Sequence, residues 1–103
     1  MVGHMADELT PATFAPTVGS VFSIALDEAP HTLELSLDQV IEHTQSNSPR
    51  SQPFTLLFVG PPGGHLPQRT YALEHAALGI VEMFIVPIGP RPDGKPLYEA
   101  VFN

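Results

Sequence analysis

The chain has 103 residues, 43% of them apolar and 15% charged, which is the size and composition of one folded domain. Eleven acidic against four basic side chains give a formal charge of -7, which repels phosphate backbones and anionic bilayers and excludes nucleic acid and membrane as expected partners. With no cysteine, disulfides, thiolate nucleophiles and cysteine-ligated metals are excluded together.

Met1 to Met5 resembles a cloning remnant ahead of a native start at Met5, so residues 6–103 are read as a single all-β domain. The N-terminus lacks the basic stretch and apolar core of a signal peptide, and no apolar run approaches the eighteen or so residues of a membrane span. The default expectation is a soluble, cytoplasmic chain. Charge is uneven: Asp7, Glu8, Asp27, Glu28, Glu34, Asp38 and Glu42 fall in residues 1–48 with no Lys or Arg among them. From Pro49 onward acids and bases balance, so one acidic side is expected.

Twelve prolines leave few intervals long enough for a globular helix, which excludes a helical bundle. Val21 to Leu26 and Thr32 to Leu37 form a hairpin candidate, with Leu33, Leu35 and Leu37 alternating against Thr32, Glu34 and Ser36. Ser36 to His43 admits two readings. Ser36 with Gln39 three residues on fits the capping box of a short helix, while Leu33, Leu35, Leu37 and then Val40 fit a strand with one inserted residue. Thr44 to Pro53 reads as an exposed polar loop.

Phe54 to Gly60, Arg69 to His75, Ile80 to Ile88 and Leu97 to Phe102 supply four further strands. Pro61 to Pro67 and Gly89 to Pro96 between them read as hairpin connections. The expected fold is all-β, about six antiparallel strands in a small barrel or sandwich with at most one short helix.

Two strands are apolar on both faces. Phe54, Leu56 and Phe58 oppose Leu57 and Val59, and Ile80, Phe84, Val86 and Ile88 oppose Val81, Met83 and Ile85. A sheet with one solvated face alternates apolar with polar, so these strands call for cover on both sides. Burying each side chain contributes about 1.5 to 3 kcal/mol, and leaving several exposed forfeits an amount comparable to the stability of a domain. The cover is either intramolecular, from Leu9, Phe14 and Val18 or from Val40 and Ile41, or another protein chain. Leu57, Val59, Val81, Met83 and Ile85 are the candidate interface.

The chemical motifs are weak. Gly60 to Gly64 lacks the Lys and Ser or Thr of a phosphate loop and is followed by a strand rather than a helix. His31, His43, His65 and His75 have no metal-ligand spacing, and no G-x-S-x-G elbow is present, so neither metal, cofactor nor catalytic residues are expected. His75 reads as a hydrogen-bonded core or rim histidine.

The second half, with Phe54 to Gly60, the motif LPQ-x-TY-x-LEH over Leu66 to His75, and the terminal YEAVFN over Tyr98 to Asn103, resembles a family of small uncharacterised bacterial proteins, a domain of unknown function. Arg69 stands where that pattern suggests glycine. The resemblance implies no activity or catalytic residues, and suggests an accessory to a surface or tail-fibre-like structure. The expected role is therefore a non-catalytic assembly or protein-binding module, acting on a protein partner or by self-association. The alternative is a small apolar-ligand-binding barrel with Phe58, Tyr71, His75 and Phe84 around the pocket. A hydrolase is third.

Overall fold

The structure, a computed structural model, describes residues 9–25, 32–43, 53–63 and 65–102. Six strands form a closed barrel: β1 (Val21–Ala25), β2 (Thr32–Glu42), β3 (Phe54–Val59), β4 (Arg69–His75), β5 (Gly79–Pro90) and β6 (Pro96–Phe102). All neighbours pair antiparallel, in the order β1-β2-β3-β6-β5-β4 with β4 closing onto β1. The expected all-β architecture is the observed one, and of the two forms considered it is the barrel.

Two three-stranded meanders, β1-β2-β3 and β4-β5-β6, are joined through the β3–β6 pair. This corrects the expectation that residues 61–67 close a hairpin. β3 and β4 are not neighbours, and the described residues between them, 60–63 and 65–68, lie across the barrel mouth instead. At up to about 3.3 Å per residue that segment is long enough to do so, and loop length alone does not distinguish the two routes.

At Ser36 to His43 the inserted-residue reading is the observed one. Leu37 pairs with Phe58 and Gln39 with Leu57, leaving Asp38 as the bulged residue. The bulge lets β2 keep Leu35 and Leu37 buried and still run on to Glu42. Helix forms elsewhere, as one turn α1 (Pro11–Phe14) followed by a 3-10 turn (Ala15–Thr17). Thr10 caps α1 reciprocally with Thr13, and Pro11 fits its first position, where an N–H would have no partner. The polar stretch expected to be a loop lies at residues 44–52, outside the described residues.

The interior is one apolar cluster. Phe22, Leu35, Leu37, Leu56, Phe58, Leu73, Ile85 and Tyr98 are all fully enclosed within it. Each end of the barrel is closed by a side chain from outside the sheet. At the end where β3 begins, Phe14 lies 5.9 Å from the ring centroids of both Phe54 and Phe102, and those two rings stack at 4.7 Å and 2°. At the opposite end the crossing segment inserts Leu66, 2% exposed. Gly60, where that segment leaves β3, has no room for a side chain: a Cβ there would lie 3.1 Å from the Tyr98 ring and 3.3 Å from Leu35.

Candidate functional site

The outer surface of the barrel divides by composition. On β1 and β2, Ser23, Thr32, Glu34 and Ser36 face outward, the alternation expected of a solvated face, with Val21, 44% exposed, as the large apolar exception. On β3, β6 and β5 the outward positions are largely apolar. Leu57 and Val59 of β3 stand beside Glu99 and Leu97 of β6, and Val86 of β5 stands on the other side of Glu99. Val101, Phe84 and Ile80 extend the surface and are 51%, 47% and 68% exposed.

Among the described residues, the N-terminal segment from Leu9 to Val18 does not cover this wall. Leu9 and Phe14 pack against the core at the barrel end, and Val18 is itself exposed. Val40, the other intramolecular candidate, also packs against the core, while Ile41 is half-buried opposite Thr55. The question raised by the doubly apolar strands is thus answered for their inner faces and left open for the outer face of β5 and β6.

The candidate interface residues separate accordingly. Leu57 and Val59 are half-buried on the outer wall. Val81, Met83 and Ile85 do not face outward: they are 7%, 4% and 0% exposed and belong to the core. Their placement corrects the sequence reading. The Ile80 and Phe84 face of β5 is interrupted by the carboxylate of Glu82, whereas Val81, Met83 and Ile85 run without a polar residue, so Glu82 is the local signal that its own face is outside. The register against β4 agrees, setting Leu73 opposite Val81 and Tyr71 opposite Met83.

The four residues considered for a ligand pocket do not converge. Phe58, Tyr71 and His75 point inward, whereas Phe84 is on the outside of the wall. Phe58 is fully buried in the side-chain cluster that occupies the space a ligand would need. A shallow groove of about 370 Å³ does exist, but it lies outside the barrel, between Val21, Glu34, Ser36, Val59, Pro61 and Lys95.

His75 makes a contact that the sequence does not reveal, because its partner is distant in the chain. Its Nε2 lies 2.8 Å from Ser20 Oγ, a serine–histidine pair of the kind used in nucleophilic catalysis. The hydrogen bonding runs the opposite way here. Nδ1 accepts from the backbone N–H groups of Ala77 at 3.0 Å and Leu78 at 3.3 Å, which places the proton of the neutral ring on Nε2. Nε2–H then donates to Ser20 Oγ, and the hydroxyl donates to Thr17 O. The ring's one basic lone pair, on Nδ1, faces the backbone N–H groups and not the serine, so in this arrangement the pair serves to link the 3-10 turn to the β4–β5 turn. Phe22, whose ring centroid is 4.5 Å away, packs against the imidazole.

The other chemical groupings are also dispersed. Among the described residues, no three or more His, Asp or Glu side chains cluster in a way that could hold a metal. Glu82 is opposite Ala72 and Glu99 opposite Leu57 and Val86, so the strand register does not make a carboxylate pair of Glu82 and Glu99. No helix among the described residues is long and apolar enough to cross a membrane.

The LPQ-x-TY-x-LEH motif now has a physical meaning. Leu66 closes the barrel mouth, Tyr71 Oη donates to Pro67 O at 2.7 Å, Leu73 is core and His75 links the two turns. The domain of unknown function DUF6916 matches residues 9–102, nearly the whole chain and all six strands. The chain belongs to the DUF6916 family. No curated protein and no solved structure matches it. In this DUF6916 domain, then, the motif residues with clear roles hold the barrel closed, and the outer wall of β3, β6 and β5 is the surface without a structural task.

Proposed function

We propose that this DUF6916 domain is a non-catalytic assembly or protein-binding module of a bacterial surface or tail-fibre-like structure, with the outer wall of β3, β6 and β5 as its contact face. The observation that carries the contact role is the exposure of Ile80, Phe84 and Val101 on one side of a barrel whose interior is already filled. Exposed apolar side chains grouped on one face, here Phe84 and Val101 with Ile80 beyond Glu82, mark interaction sites in soluble proteins. The kind of structure served rests on the family resemblance alone. The wiring of Ser20 and His75, with the imidazole donating to the hydroxyl, favours a binding role over a hydrolytic one.

Site-specific photo-crosslinking tests the proposal. A benzoylphenylalanine placed at Phe84 in cells of the native organism is expected to give a discrete protein adduct. The same probe at Glu34, on the polar β1–β2 side, is expected to give none. No adduct from position 84, or equal labelling from both positions, overturns the assignment of the face.

A further inference from the structure

The character of the wall also specifies what kind of partner fits it. Glu99 is half-buried in the middle of the apolar surface, with Leu57 on one side and Val86 on the other. Among the described residues it has no cationic partner. The other charge at an outward position of β3, β6 and β5 is Glu82. The exposed Arg69 is on β4 opposite Ile85, with its guanidinium over the Tyr71 ring at 5.6 Å, and Lys95 lines the groove at the Val59 edge of the wall. Arg91, at the β5–β6 turn, is engaged by Asp93 at 3.4 Å and Asp38 at 4.0 Å.

A purely apolar partner would strip water from the Glu99 carboxylate and return nothing, which is costly for a charge. A second copy docking by this face would confront two carboxylates, Glu82 and Glu99, with two more, on a chain that already carries -7. A partner whose apolar contact is interrupted by Lys or Arg removes both penalties. Resting on the contact-face reading, we infer that the wall receives a basic, apolar segment of a different protein, with a Lys or Arg meeting Glu99 between Leu57 and Val86.

Two probes decide this by NMR on the isotopically labelled full chain: a short synthetic peptide alternating valine with lysine, and its counterpart alternating valine with glutamate. The lysine peptide is expected to shift the amides of Leu57, Val86, Glu99 and Val101 and to bind about tenfold or more tightly than the glutamate peptide. Glu99→Gln is expected to weaken lysine-peptide binding by about tenfold, whereas Glu34→Gln, which removes the same net charge from the polar side, changes it less than about twofold.

Equal losses in the two variants, or shifts concentrated on β1 and β2, would reduce the effect to net charge and overturn the inference. Wall resonances that broaden with protein concentration in the absence of peptide would instead identify a second copy as occupant and overturn it too. Either result leaves the contact face intact if position 84 still cross-links to a protein. Absence of that adduct removes the contact face itself.

Discussion

The hydroxyl of Tyr98 accepts the backbone N–H of Leu66 at 3.0 Å, deep in the barrel. One side chain thereby secures the segment that crosses from β3 to β4, because Leu66 must bring its polar backbone into an apolar interior to close the barrel mouth. Tyr98→Phe keeps the ring and leaves that N–H without its acceptor. The expected cost is about 1 to 3 kcal/mol, read as a lower urea midpoint with an unchanged denaturant slope.

Met83 and Phe84 are adjacent in sequence and on opposite sides of the wall, at 4% and 47% exposure. Met83→Asp places a carboxylate in the core, at a cost of about 4 kcal/mol or more, and is expected to leave little cooperative unfolding by circular dichroism. Phe84→Asp is expected to change stability by less than about 1 kcal/mol. A folded Met83→Asp variant would contradict the inward placement of that residue.

The Ser20–His75 link predicts a tautomer. Long-range proton–nitrogen correlation spectra at neutral pH are expected to show a proton on Nε2 of His75 and a bare Nδ1, as the donors at Ala77 and Leu78 require. Ser20→Ala, which removes one hydroxyl, is expected to cost about 1 kcal/mol. His75→Ala is expected to cost more, about 3 kcal/mol, because it also removes the packing on Phe22 and leaves two N–H groups without their acceptor.

Tyr71 gives the chain an alkaline limit. Desolvation raises its pKa above the ordinary tyrosine value, outweighing the nearby Arg69, which lowers it; Tyr98 adds to the rise. In the folded state the neutral phenol donates to Pro67 O, so folding favours the protonated form. The contribution is complete below the unfolded tyrosine pKa of about 10 and is lost as pH rises through the higher folded value. Tyr71→Phe is expected to lower urea-unfolding free energy at neutral pH by up to about 1 kcal/mol, because the bond to Pro67 O is lost, and to flatten its fall above a pH of about 10.

Most of the secondary structure was legible in the order of residues. Strand periodicity and proline punctuation are local properties, and they located the six strands; the phase slip from Leu37 to Val40 admitted a bulge beside a short helix, and the pairing with β3 chose the bulge, at Asp38. The apolar excess of the Phe54 and Ile80 strands was local as well, and it pointed to a second surface in need of cover. The helical turn at Pro11 was legible in principle from Thr10, Pro11 and Thr13, but at a single turn it lacks the apolar period by which longer helices are recognised.

Which face of β5 is inside was only faintly written in β5. Val81, Met83 and Ile85 are as apolar as Ile80, Phe84 and Val86, with Glu82 alone marking the outer set, and the ladder with β4 and the space left by Leu73 and Phe58 completed the choice. The pairing of β3 with β6, the insertion of Leu66 beneath Tyr98 and the meeting of Ser20 with His75 likewise join residues far apart in the chain. Periodicity describes a strand's own two sides. Closing six strands into a barrel is what makes one of those sides a core and leaves Glu99, with its apolar neighbours, on the other.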